Sequence, residues 1–99
     1  MRLELTSYEA LHGWGVVNSS AGWHAQRNRR PPAAEQAVGQ ILFTAYDRRT
    51  GTTITVEFSD DERASLAELV NEHIAAWVTR GQENASAAHL RSLVVKLSG

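Results

Sequence analysis

The chain has no cysteine and a single lysine, Lys96. Without cysteine there is no disulfide framework and no thiolate for nucleophilic, redox or metal chemistry. No apolar run approaches the roughly 18 residues of a membrane span. Met1 to Ser7 is short and alternating, unlike a secretory leader. These absences lead to the expectation of a cytoplasmic protein with no membrane contact. Neither sign of charge dominates: ten Lys and Arg stand against eleven Asp and Glu, for a net charge of −1. No global field therefore draws nucleic acid in or repels it.

Chemical motifs are missing too. His12, His24, His73 and His89 contain no His-x-x-x-His pair of the kind a zinc helix needs. Ser19-Ser20 lacks the Gly-x-Ser-x-Gly setting of a hydrolase nucleophile. Gly13-Trp14-Gly15 lacks the third glycine of a dinucleotide loop. The expectation is no enzyme, with no metal, cofactor or small-molecule substrate.

What the sequence does hold is pattern. Thr53-Ile54-Thr55-Val56-Glu57-Phe58 alternates, with Ile54, Val56 and Phe58 on one face, as a half-buried strand does. Gln40-Ile41-Leu42-Phe43-Thr44-Ala45-Tyr46 reads as its hairpin partner. A four-residue loop, Arg48 to Gly51, sets Ile41, Phe43 and Ala45 against Phe58, Val56 and Ile54, with Gly51 at positive φ. Ser59-Asp60-Asp61-Glu62 is a capping box that opens a long helix. Leu66, Leu69, Val70, His73, Ile74 and Trp77 form its apolar stripe, and Arg80-Gly81 ends it. Leu90, Leu93, Val94 and Leu97 extend a helix from Ser86 onward, although residues 92–97 also fit a strand. The fold expected is therefore α+β: an antiparallel hairpin, or three strands if Arg2–Thr6 joins it, on one long amphipathic helix, with a short C-terminal helix. Residues 1–99 form one small domain and 40–81 its hairpin–helix core.

Residues 14–39 are harder to assign. Ser7 to Gly13 suggests one capped helical turn. Trp14 to Arg27 reads as a second hairpin or an irregular loop, and Arg27 to Pro32 as a linker, since two prolines bar regular structure. The stretch is treated as an extended arm or insertion, with one helical turn at Ala33–Val38.

Function is read from what is left over. Three tryptophans and a first strand apolar on both faces exceed what one helix covers. Trp14, Trp23, Leu42 and Tyr46 are therefore the candidate partner-binding residues, since aromatic residues dominate binding hot spots. The reading is a protein-interaction or assembly module, self-associating or of a viral structural or host-interacting kind. The alternative is nucleic-acid binding through Arg27, Arg29 and Arg30 in the arm and Arg48 and Arg49 at the hairpin tip.

The order strand–helix–helix from Thr53 to Leu97 is similar to that of the ribbon-helix-helix DNA-binding repressors. That family's strand pairs with its copy in a dimer and its first helix is short. Here the strand is expected to pair within the chain and the helix runs about five turns, so the chain is not assigned to that family.

Overall fold

The structure, a computed structural model, describes residues 1–81 and 85–98. The described elements run β1 (Arg2–Thr6), α1 (Ser7–Gln26), α2 (Ala33–Asp47), β2 (Thr53–Glu57), α3 (Asp60–Thr79) and α4 (Ala85–Ser98). This is an α+β fold dominated by helix, with one antiparallel pair of strands.

The pair does not join the two segments expected. β2 lies where its alternation placed it, and Ile54, Val56 and Phe58 are buried. Its partner is β1, with Leu3 opposite Val56 and Leu5 opposite Ile54. Gln40–Tyr46 belongs to α2. The physical reason is the period. Val38, Ile41, Leu42, Ala45 and Tyr46 recur at three and four residues, so they fit a helical stripe as well as an alternating strand, and short apolar runs are ambiguous in this way. Length decides: the helix starts directly after Pro31-Pro32 and runs 15 residues through Gly39. Gly51 lies in the loop before β2 without positive φ; among described residues Gly81, at 68°, is the one glycine that has it.

Residues 14–39 are not an arm. Trp14 to Gln26 completes α1, a 20-residue helix. Thr6 is its N-cap: the hydroxyl accepts from the Glu9 amide, and the Glu9 carboxylate accepts from the Thr6 amide at 2.7 Å. Three glycines, Asn18 and three serines give this helix poor intrinsic propensity. Tertiary packing overrides it. Ala10, Gly13, Val16 and Val17 form a buried stripe against α2, where Val17 meets Gly39 and Gly13 meets Leu42. Those pairs run in opposite directions along the two helices, so α1 and α2 form an antiparallel hairpin. Arg27–Pro32 connects them, with Asn28 left-handed at φ 52°.

α3 and α4 close the core. Ser59 and Glu62 make the capping box foreseen, and Gly81 supplies the stop at its expected place. Leu66 and Val70 are fully buried, while Leu69, His73, Ile74 and Trp77 are half-buried. α4 is helical throughout 92–97 and buries Leu90, Leu93 and Leu97. Its tie to α1 is polar: Lys96 Nζ and Ser92 Oγ both donate to the Glu9 carboxylate at 2.6 Å, and Glu9 is 1% exposed. Arg63 of α3 donates to the Leu97 carbonyl at 2.8 Å. One apolar cluster draws on every element.

Candidate interaction groove

α1 and α3 pack side by side and leave a furrow between them. One end is a cleft of about 380 Å³ bordered by Trp23, His24, Glu35 and Glu72. The other end, of about 370 Å³, is bordered by His12, Trp14, Trp77 and Leu90. The two halves meet at Val16, Ser19 and His73. The furrow thus gathers all three tryptophans, which lie 63 positions apart in sequence at the extremes, Trp14 and Trp77.

Each ring is held differently. Trp23 is 47% exposed. The Arg27 guanidinium lies 4.0 Å from its ring centre, and the His24 ring meets it edge-on. Trp77 is half-buried with His73 edge-on at 4.7 Å between ring centres. Trp14 is half-buried and leans on the exposed Phe43 ring at 5.8 Å. Exposed Tyr8 stacks on His89, which stacks in turn on His12.

Ser20, Glu35 and His24 meet at one end of the furrow. Ser20 Oγ donates to Glu35 Oε2 at 2.9 Å. His24 Nε2 lies 3.9 Å from the same oxygen, beyond hydrogen-bond length. The Ser20–Glu35 hydrogen bond links α1 to α2, with the His24 ring beside it. Burial, helped by Arg80, holds the His73 imidazole below its ordinary pKa. Burial and neighbouring His89 do the same for His12. Both rings are therefore neutral at pH 7. Among the described residues no group of three or more His, Asp or Glu is placed to hold a metal ion. Among the same residues no helix is long and apolar enough to cross a membrane.

The remaining candidate residues scatter. Leu42 is fully buried under Gly13, so it offers a partner nothing; it lies on the inward stripe of α2 rather than on an outer sheet face. Tyr46 is half-buried, with Arg49 stacked 3.8 Å over its ring. Arg27 and Arg49 also donate to carbonyls at the ends of α1 and α2, of Trp23 and Tyr46 respectively. Each guanidinium is thus engaged by its own helix terminus. Arg29 and Arg30 are exposed in the linker, and Arg48 is exposed after α2. The two arginine groups sit at opposite ends of α2, about 22 Å apart by helix rise, and form no continuous basic face. Sequence reading missed His73 and Trp77 as surface-lining residues because the helical stripe placed them in the core. It missed Phe43 because that residue was assigned inward on a strand.

Comparisons with protein-family models, with curated proteins and with solved structures returned no match.

Proposed function

We propose that this chain is a small non-enzymatic protein-binding module that seats a partner protein in the α1–α3 furrow. The observation that supports this most is the gathering of Trp14, Trp23 and Trp77 along one furrow, with Trp23 left 47% exposed under Arg27. Tryptophan and arginine are the side chains most enriched where binding energy concentrates. A core closed without Trp23 gives no folding reason to keep that ring in water. The neutral His12 and His73 rings and the Glu35 and Glu72 carboxylates supply acceptors around an apolar floor, which suits a segment bearing apolar side chains and a basic or amide group. Nucleic-acid binding is the weaker reading, since two of its five arginines are engaged by their own helices and the rest are divided between two ends.

Site-specific photo-crosslinking in the source cells tests this. A crosslinking residue at Trp23 is expected to capture one discrete protein. The same residue at Val95, which is 71% exposed on α4, is expected to capture none. Equal, diffuse labelling at both positions would overturn the reading.

A further inference from the structure

A second surface lies away from the furrow. Met1 and Phe58 exchange both backbone hydrogen bonds across β1 and β2. In an antiparallel ladder such pairs alternate with pairs that exchange none. The bonding pairs are therefore Met1–Phe58, Leu3–Val56 and Leu5–Ile54, and the Ser7 amide bond to the Thr52 carbonyl continues the sequence. It follows that the amides and carbonyls of Thr53, Thr55 and Glu57 point away from β1. No hydrogen bond from a described residue meets them. This outer edge faces a groove of about 350 Å³ whose other wall is α2, through Ile41, Thr44, Ala45 and Arg48.

Proteins guard open strand edges with charge, proline or bulges. β1 carries Arg2 and Glu4, and its Thr6 amide is taken by Glu9. β2 presents Thr53 and Thr55, both good strand formers, and charge only at Glu57. Charge is uneven along the strand: Arg48 and Arg49 lie beside Thr53 and Thr55, and Glu57 stands at the C-terminal end of β2, on the groove that Arg48 also lines.

We infer that β2 is a self-pairing edge, and that its partner is β2 of a second copy of this chain, joined antiparallel about a two-fold axis at Thr55. That register sets Thr55 opposite itself and Glu57 opposite Thr53 of the second copy. It is the register that pairs all three outward residues, forming about six backbone hydrogen bonds. It also carries each Glu57 to the Thr53 end of β2 in the other copy, beside Arg48 and Arg49, so the uneven charge is self-complementary, as a two-fold interface requires. The product is a continuous four-stranded sheet, β1–β2–β2–β1, with both α2 helices on one face. An extended segment of another protein could occupy the edge by the same backbone bonds, but it would not account for the acid at Glu57 and the base beside Thr53 in matching register. The furrow plays no part in this inference.

The test uses charge at the axis. Thr55 is exposed and outside the core, so Thr55→Lys and Thr55→Glu leave the fold intact. Each alone sets like charges directly opposite. In sedimentation velocity the wild type is expected to form a dimer of the 10.9 kDa chain as concentration rises. Each variant is expected to associate more weakly, by up to about fivefold for the one opposed pair. An equimolar mixture of the two variants is expected to recover the dimer, because unlike charges then face each other. In the wild type, the Thr55 and Glu57 amides should exchange slowly when concentrated and fast when dilute. A wild type that stays monomeric, variants that dimerise as it does, or a mixture that fails to recover would each overturn the inference. None of these outcomes touches the furrow, which is judged by the crosslink at Trp23.

Discussion

Gly39→Ala tests the packing of α1 on α2 with a sign that the structure decides. A methyl group at Gly39 would stand 2.9 Å from Val17 Cγ1, well inside the roughly 3.5–4.0 Å at which carbon atoms attract. Val17 is β-branched and within a helix, so one rotamer dominates and it cannot swing aside. The helices must part or the rotamer must strain, at a cost of about 1–3 kcal/mol. Alanine for glycine inside a helix returns about 1 kcal/mol. The net expectation is a loss of about 1 kcal/mol, which lowers the melting temperature by roughly 4–8 °C in a chain of this size. Gly22→Ala is the control. Its methyl meets nothing within 4 Å, so the propensity gain stands alone and the melting temperature rises. The assay is thermal unfolding of the three proteins by circular dichroism. If Gly39→Ala stabilised as Gly22→Ala does, Val17 would not face Gly39, and the α1–α2 hairpin would be wrong.

Other expectations follow from single side chains. Leu42→Ala should lose about 2–5 kcal/mol in urea unfolding, as a fully buried leucine does; a loss under about 0.5 kcal/mol, the range of a surface change, would return Leu42 to the surface. Acid should act in two stages. His12 and His73 are depressed in the fold by burial first and by neighbouring His89 and Arg80, respectively, second, so stability present at neutral pH begins to fall as pH drops through about 6.5. Burial alone would raise the Glu9 pKa, but the hydrogen bonds from Lys96, Ser92 and the Thr6 amide together outweigh it and hold the carboxyl below its ordinary 4.5. Its contribution is therefore complete above 4.5 and is lost as pH falls through the folded value. Glu9→Gln should flatten this second stage of the denaturant midpoint against pH and leave the first; an unchanged second stage would remove Glu9 from the account.

Where the chain was legible, short-range chemistry carried the information. The Ser59–Glu62 box, the stripe from Leu66 to Trp77 and Gly81 mark α3 without help from the rest of the molecule. β2 was legible from alternation alone. Its partner was not, because strand pairing is non-local and Arg2–Thr6 competes with Gln40–Tyr46, whose apolar residues satisfy both periods. α1 was hidden by composition. Glycines at 13, 15 and 22 and the polar run Asn18–Ser20 argue against a helix locally, and only contact with α2 makes the small residues an advantage. One local sign was present: Thr6-Ser7-Tyr8-Glu9 has the same capping-box spacing as Ser59–Glu62. The candidate surface was half legible. Trp14 and Trp23 line the furrow, but placing Leu42 and Tyr46 beside them depended on a strand that is a helix. Trp77 joins the surface because α3 is packed along α1, which no local pattern encodes.

Trp23 is the most exposed of the three tryptophans in the lone chain, while Trp14 and Trp77 are half-buried. Acrylamide quenching of three variants, each retaining one tryptophan with phenylalanine at the other two positions, measures this directly in dilute protein. The account predicts clearly stronger quenching for Trp23 than for either of the others. Equal quenching at all three positions, or a Trp23 more protected than Trp77, would contradict it.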